Sequence, residues 1–565
     1  MSLLAALLLG LAGATPISAH DSAAPSAEDN EKRREARQLT EELKKGAPSA
    51  AKSTAARRRL VEQAERRRDL VNDLARRDPK GALDAAFEPA ERGALPDFVR
   101  SLVEEWVTLE GELQVVHVDD EDGRGEYDIR LINNGRERPL RFGRTLKNVK
   151  PGDEVRVEGI ALAGEPTVVA DQVSVTSAAS GVGPTGAQRT AIILASAPGV
   201  GTHPYANKDN TASIFFPSSN PKSARSFFLE SSYGQTTIVG KSGAEGTAAD
   251  VYGPYTLASA TCDFYTVRDQ ALKAADSNVN YGSYDRVVIS WNHAACGGGG
   301  SGTVRTQNVG SYDGADQQLS VALIFNAGLG ATALNGDVSG VALHEYGHNL
   351  GVWHANALEC GSVGVGSGGC SSNEYGDPSD LMGNTAGYGH FNAVHKDILT
   401  WLGGGRSQAV SSEGSYPIGA YEAAGSGVRV LKIPRTRDAS GAVNGHYYLE
   451  YRKPTSAWNA FLTGRPDYGS GVLVHTSGTT PFCTAYCPPD FSGGGGGGDS
   501  HLVDTQPGSS SGSADFNDAP LVNGESYTDP LAGVTLRVTA TGTATATVQV
   551  SFSTPSLSVQ SIVYP

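Results

Sequence analysis

The sequence predicts a multidomain protein with a mixed α/β (α+β) domain at its centre. A helical segment and a small β-barrel or sandwich precede that domain, and an all-β sandwich-like domain follows it. Three observations carry this reading. The chain has 565 residues, enough for several hydrophobic cores. Its apolar period is helical up to about residue 105, becomes two from about residue 106, and is mixed after residue 188. Short strand-like runs separated by Gly and Ser then fill residues 406–565.

Residues 1–19 hold an apolar run, Leu3 to Leu11, followed by the small residues Ala12, Gly13, Ala14, Ser18 and Ala19. No basic residue precedes the run. Its length and the small residues after it have the form of a secretory signal peptide, too short to span a bilayer. No other run approaches membrane length and no C-terminal anchor pattern is present, so a secreted chain (extracellular or periplasmic) without a membrane anchor is expected. Six cysteines fit export: Cys262, Cys296, Cys360, Cys370, Cys483 and Cys487. Local pairing, 262–296, 360–370 and 483–487, would staple one loop each. A four-cysteine zinc site is the rival, but only Cys483 and Cys487 are closely spaced.

Residues 20–105 carry 18 basic and 18 acidic side chains, a dense but neutral helical prosegment. "RRRLVEQAERRRDLVNDLARRDP" sets Leu60, Val61, Leu70, Val71 and Leu74 among charges, as in amphipathic helices with a salt-laced face. Residues 106–176 read as a small β domain, with "GELQVVHVDD", "GEYDIRLIN", "RPLRFGR" and "DEVRVEGIAL" as strands between Gly and Asn-Gly turns. It shows no aromatic platform for stacking bases, and a packing or inhibitory role is expected of it. Residues 177–188 are a linker by composition and a natural place for proteolytic nicking.

From 189 to 405, "TAIILAS", "DRVVISW" and "LSVALIF" read as strands, and "SARSFFLESSYG" and "CDFYTVRDQALKAAD" as helices. From 406 onward "GVRVLKI", "HYYLEYR", "GVLVHTS", "GVTLRVTATG" and "ATVQVSF" read as the strands of a sandwich. Net charge is −15, and residues 187–565 hold 19 basic against 29 acidic side chains. Nucleic acid is excluded as the main partner, because phosphate binding needs a basic stripe.

The stretch "VALHEYGHNLGVWHANALEC", Val341 to Cys360, carries the chemistry. Asp337 or Ser339 can cap a helix on which His344 and His348, four residues apart, share one face and can bind one ion. Glu345 is one step round from His344, off the ion but near a water on it, where a general base belongs. Gly351 allows a left-handed helix exit, and the turn returns His354 as a third ligand. Three imidazoles leave a fourth position open and suit Zn2+. His117, His203, His293, His395, His446, His475 and His501 lack such context and read as ordinary surface or hydrogen-bonded residues.

"HEYGHNLGVWH" resembles the extended zinc signature of the metzincin proteases. "EYGDPSDLMG" follows, with Met382 as the only methionine besides Met1, and resembles the methionine turn of that family. Together with "GHFNAVHKDILTWL", in which Phe391, Val394, Ile398, Leu399 and Leu402 recur at helical spacing, the pattern is most similar to the gametolysin-like members. The resemblance covers roughly residues 190–405, with strong motifs over 341–402. It implies a metzincin-like zincin domain: a monomeric, secreted zinc endopeptidase acting on protein or peptide substrates. His344, His348 and His354 would hold the metal, Glu345 would be the catalytic base, and Met382 would form the floor. Several metzincins place a Tyr two residues after the Met. Asn384 stands there, which leaves Tyr388 and His390 as candidates for an extra ligand or a transition-state contact. Glu374, Asp377 and Asp380 either bind Ca2+ or cap turns.

Metzincins are often made as zymogens, one device being a prosegment cysteine on the zinc. Residues 1–186 contain no cysteine. The prosegment, as the chain's own inhibitor, must then use an aspartate such as Asp119 or Asp120, or act sterically, or remain as an accessory domain. The alternative to a protease is a catalytically silent zincin serving as a secreted binding or adhesion protein. The intact Glu345 speaks against it.

Overall fold

A computed structural model describes residues 26–49, 53–119, 125–143, 149–201, 206–297, 299–325, 337–365, 370–383, 388–437, 441–459, 462, 465–478, 500–509 and 516–553. The expected signal peptide, Asp120, His203, Asn384 and the Cys483–Cys487 pair lie outside the described residues.

The N-terminal segment is helical, as its pattern predicts. Helix α1 (Ala27–Gly46) begins at a capping box, Ser26 Oγ accepting from Asp29 N (3.0 Å) and Asp29 accepting from Ser26 N (3.2 Å). It packs on α2 (Thr54–Arg77), and α3 (Pro79–Ala85) and α5 (Asp97–Arg100) close over their apolar sides, with the short α4 (Pro89–Gly93) between them in sequence. The arginine cluster is not wholly a solvated face. Arg67 is fully buried and forks onto Glu104 at 2.7 and 2.9 Å, tying α2 to the chain entering the first strand.

That strand, β1 (Glu105–Asp119), is 15 residues long and serves two bodies. With β2 (Gly125–Asn133), β3 (Arg136–Phe142), β4 (Glu154–Ala161) and β5 (Val168–Ser177) it closes a five-stranded barrel in the order β1-β2-β3-β5-β4-β1. Leu113, Val115, Leu131, Leu140, Val155 and Val157 fill the barrel. The last four residues of β1, still paired with β2 on one side, pair antiparallel on the other with β10 (Gly300–Thr303), matching His117 to Gly302 and Asp119 to Gly300.

The central sheet contains β6 (Gly186–Ser196), β7 (Thr236–Val239), β8 (Val251–Thr256), β9 (Arg286–Asn292), β10, β11 (Gln307–Tyr312) and β12 (Ala315–Phe325). β12, β9, β6 and β7 run parallel, and β10 is antiparallel on the edge beside β12. Alternation along the strands divides two cores. Ile193, Ile289 and Leu323 face α8 (Phe264–Ala275), with α6 (Lys208–Phe215) and α7 (Ala224–Ser231) on the other side. There Leu194, Val288 and Ile324 face α9 (Gly340–Leu350).

Beyond α9 come β13 (Ala355–Glu359), β14 (Ser371–Asn373), α10 (Ala393–Ile398), β15 (Ser407–Ala409), β16 (Gly414–Gly419), β17 (Val430–Arg437), β18 (Val443–Glu450), β19 (Leu473–Gly478), β20 (Ser500–Val503), β21 (Ser526–Asp529), β22 (Val534–Thr541) and β23 (Thr545–Phe552). They form a seven-stranded sheet, β14-β13-β20-β19-β18-β17-β15, and a four-stranded one, β16-β23-β22-β21. One apolar core lies between the two sheets, from Leu431, Leu449 and Val474 to Leu536, Val548 and Val550. The divisions drawn at residues 176 and 405 do not coincide with breaks in the sheets. β1, which lies before the first, pairs with β10 beyond it, and β13, which starts straight after His354, is a strand of the C-terminal sheet, parallel to β20.

Cys262–Cys296 and Cys360–Cys370 are disulfides, so the rival zinc site built on cysteines is excluded for these four. No helix among the described residues is long and apolar enough to cross a membrane.

Lys396, on α10, is fully buried with Nζ 4.2 and 4.0 Å from the ring centroids of Tyr233 and Tyr421. Burial, and then the Arg452 charge, push its amine down to about 7 against the opposing pull of Glu422 and Glu450. The unfolded chain therefore binds a proton between pH 7 and its ordinary 10.5 that the folded chain does not. This group makes stability rise with pH across that window by about 1.4 kcal/mol per unit, and leaves its full penalty in place below it. Urea unfolding of Lys396→Met should lack that slope and show its largest gain over wild type at or below pH 7. Parallel pH profiles for the two proteins would show that Lys396 does not titrate in this window.

Candidate metal centre

Helix α9 is built to hold two rings still. Ser339 Oγ accepts from Ala342 N at its start (3.1 Å), and Gly351 ends it at φ 109°, with its N–H on Gly347 and His348 carbonyls. Every residue of the helix except Val341 is buried. His344 Nδ1 donates to the Leu381 carbonyl (3.0 Å) and His348 Nδ1 to the Val352 carbonyl (2.9 Å). His354 Nδ1 lies 2.7 Å from Glu374 Oε1. All three rings are thus oriented through Nδ1, and all three present Nε2 to one place.

The Asp119 carboxylate occupies that place. Its Oδ2 is 3.1 Å from His344 Nε2 and 3.8 Å from His348 Nε2, and its Oδ1 is 3.0 Å from His354 Nε2. Glu345 is buried alongside, and Asp119, His344 and Glu345 can place ligand atoms within 4.8 Å of one another, as can His117, Asp119, His348 and His354. A carbonyl oxygen only accepts, so neutral His344 and His348 are protonated on Nδ1 and carry lone pairs on Nε2. Lone pairs facing a carboxylate repel it unless a proton or a cation lies between. Neither Nε2 has a hydrogen-bond partner, and both are buried. The donor set fits a metal ion on these grounds: imidazole nitrogens and carboxylates meet in two overlapping groups that share Asp119, one with His117, His348 and His354 and one with His344 and Glu345.

The electrostatics agree. Burial, and then the Asp119 charge, hold the Glu345 carboxyl well above the usual carboxylate range. Burial also works to raise Asp119, but His117, His344 and His354 outweigh it and hold it well below that range. Burial works to lower His354, and the Asp119 and Glu374 carboxylates push it instead up to about 9. Burial, and then the His354 charge, push His117 down to about 4, and burial with His117 lowers His348 as well, so the positive charge of the pocket gathers on His354.

Met382 is fully buried beneath α9. A Cβ on Gly347, in the turn between His344 and His348, would lie 2.5 Å from its sulfur. Asp380 fixes this turn by accepting from Met382 N (2.6 Å), Asn392 N (2.6 Å) and His395 Nδ1 (2.8 Å). Asp377 accepts from Ser379, Asn392 and His475, and Glu374 from His354. These three carboxylates act as caps and orienters, and form no common ligand group among the described residues. Tyr388 packs on Trp458 and Lys222, and His390 Nε2 meets Glu230 (3.1 Å), so their described contacts lie away from the cluster.

The sequence did not single out four contributors. His117, read as an ordinary histidine, is fully buried, stacked on His348 at 4.4 Å, with Nδ1 2.9 Å from Asp119 Oδ1. Tyr375 donates its hydroxyl to Asp119 Oδ1, and its ring centroid is 3.9 Å from that of His354. Gly300 and Gly302 let β10 run against α9, because a Cβ at 300 would lie 2.4 Å from Glu345 Oε1. A signal for Tyr375 was its adjacency to Glu374. For His117 only its two-residue spacing from Asp119 pointed this way.

Removing the acceptor from His354 should loosen the metal without removing a ligand. Glu374→Ala is expected to weaken zinc affinity by about 10–100-fold, measured by competition with a chromophoric chelator. Unchanged affinity would mean that His354 is held well enough by its packing alone.

No protein-family model matches the chain, and no curated protein matches it either.

Proposed function

We propose that the chain is a zinc-dependent endopeptidase of the metzincin type, exported in keeping with its two disulfides and its N-terminal sequence. One observation carries the reading: three Nδ1-anchored histidines turn Nε2 to one carboxylate, that of Asp119, at 3.0–3.8 Å, with a buried glutamate beside it. Zinc held by His344, His348 and His354 would supply Lewis acidity toward a peptide carbonyl and a water.

The protein groups would do the rest. Glu345 is one helical step from His344, in a pocket that raises its proton affinity. It takes the proton of the attacking water and returns it to the amide nitrogen as the C–N bond breaks. Tyr375 already donates to an anionic oxygen, that of Asp119, and is suited to donate to a carbonyl oxygen as charge develops on it. This is the role first sought from Tyr388 or His390. The antiparallel edge of β10 is suited to an extended peptide, as it already accepts a strand. Protein substrates fit such an edge better than small molecules do.

The test is casein hydrolysis by chain cut between residues 176 and 188 and freed of the N-terminal portion. A chelator should abolish hydrolysis and zinc should restore it. Glu345→Gln should keep its zinc and lose about 10²–10⁴-fold in rate. A Glu345→Gln protein as active as wild type would end the protease reading. Tyr375→Phe should lower kcat by about 10–100-fold with KM little changed, and an unaltered kcat would remove Tyr375 from the reaction.

A further inference from the structure

We propose that Asp119 is a fourth protein ligand of the same metal ion, carried into the cleft by β1, and that it holds the centre closed. This rests on the reading above that an ion sits among His344, His348 and His354.

The geometry is specific. One carboxylate faces all three Nε2 atoms, at 3.1, 3.8 and 3.0 Å, and its side chain is only 12% exposed. His354 Nε2 hydrogen-bonds Asp119 Oδ1, but Nδ1 of His344 and of His348 is already engaged by a carbonyl and their Nε2 atoms have no hydrogen-bond partner, so those two contacts are not ordinary histidine–aspartate hydrogen bonds. A cation between the carboxylate and the rings removes the lone-pair conflict and satisfies both sides. Carboxylate oxygen is a good zinc ligand, and four protein ligands are the closed arrangement of a structural site. Cysteine cannot perform this task, since residues 1–186 contain none.

The carrier is as deliberate as the ligand. Val116, His117, Val118 and Asp119 form a ladder with Thr303, Gly302, Ser301 and Gly300, covering the edge that an extended substrate would use. Two glycines in that edge admit the approach. On the other side of the site Trp353, next to His354 in sequence, is buried in the apolar core of the N-terminal barrel, with Tyr127 at 4.5 Å. His117 fills the space between His348 and Asp119 and acts as a positioning residue. Barrel, strand and metal centre therefore form one continuous packed unit.

The experiment uses the full, uncut chain with Co2+ in place of zinc, acetohydroxamic acid as an added ligand, and Asp119→Ala and Asp119→Asn as variants. In wild type the visible absorption should not respond to the hydroxamate, because no position is free. In both variants it should change, and zinc should pass to a chromophoric chelator at least about tenfold faster, while casein stays excluded by the β1 ladder until the chain is cut. The isosteric Asn variant guards against loss of fold in the Ala variant. If wild type binds zinc yet its cobalt spectrum already responds to the hydroxamate, Asp119 is not a ligand, although the metal centre stands. Unchanged spectra and unchanged zinc release in both variants would overturn the proposal equally and leave steric blockage by β1. If neither wild type nor variants hold metal, the zinc reading itself fails with it.

Discussion

The centre of this molecule is governed by where three imidazoles keep their protons. Leu381, Val352 and Glu374 each take an Nδ1 hydrogen, and the three buried rings are left with Nε2 turned to the Asp119 carboxylate. Two buried carboxylates, Asp119 and Glu345, share that pocket. Burying one unpaired ion costs several kcal/mol even after relaxation, so two carboxylates among neutral rings would be hard to sustain. Positive charge has to enter. In protons alone, it enters on His354, pushed to about 9, and on the Glu345 carboxyl, which keeps its hydrogen. A divalent cation meets the same demand with one species and satisfies every nitrogen at once. Much of the surrounding structure then makes sense as support for those three acceptors: the Met382 turn delivers the Leu381 carbonyl, the Gly351 exit delivers Val352, and the loop before the turn delivers Glu374.

Most of this site was legible because its ligands are local. His344, Glu345, His348, Gly351 and His354 are separated by fixed steps along one helix and one turn, so helical geometry alone predicts their convergence. Met382 was legible by rarity, in a chain with one internal methionine. The parts that escaped are those set by long-range pairing. Asp119 comes within 3.0 Å of His354 across 235 residues of sequence, through a strand ladder whose register no local pattern announces. It was named only as one of two aspartates that might replace a missing cysteine. His117 was passed over because alternation along β1 hides it: a polar residue on an inward position looks like any other strand residue until its partner is known. Tyr375 lay beside a predicted turn residue, but its side chain is positioned by φ +57°, which sequence does not show.

Hydrogen bonding also runs across the domain limits. Composition changes near residues 106, 176 and 405 are real, and the barrel and the sandwich exist where they were expected. Hydrogen bonding ignores the changes. β13 follows His354 directly, and its backbone is satisfied by β14 on one side and by β20, about 145 residues on, on the other. A strand leaving a buried metal centre has to find partners at once, since unpaired backbone groups there would be costly. The C-terminal sheet supplies one. It therefore also serves as the back wall of the site, with His475 and Ser500 from it hydrogen-bonded to the Asp377 and Asn392 side chains that brace the methionine turn.

Continuity has a consequence for how the cleft opens. Were the N-terminal barrel a separate bead on a linker, closure would depend on a few rim contacts and would fluctuate readily. Here one 15-residue strand is both a stave of the barrel and the outermost strand of the central sheet. Opening must break the ladder to β10, withdraw Asp119 and His117 from the rings, and bare Trp353 to water. Burial of such a side chain contributes about 2–3 kcal/mol, comparable with several of the strand's net hydrogen bonds. These losses occur together, because rigid β1 cannot release one without the others. Hydrolysis in the exposed stretch between 176 and 188 breaks none of them directly. It acts by turning an intramolecular contact into a bimolecular one, so that the barrel, once gone, is diluted and does not return. A metal ligand delivered by a strand of this kind gives closure that is tight while the chain is whole and is lost for good when it is cut.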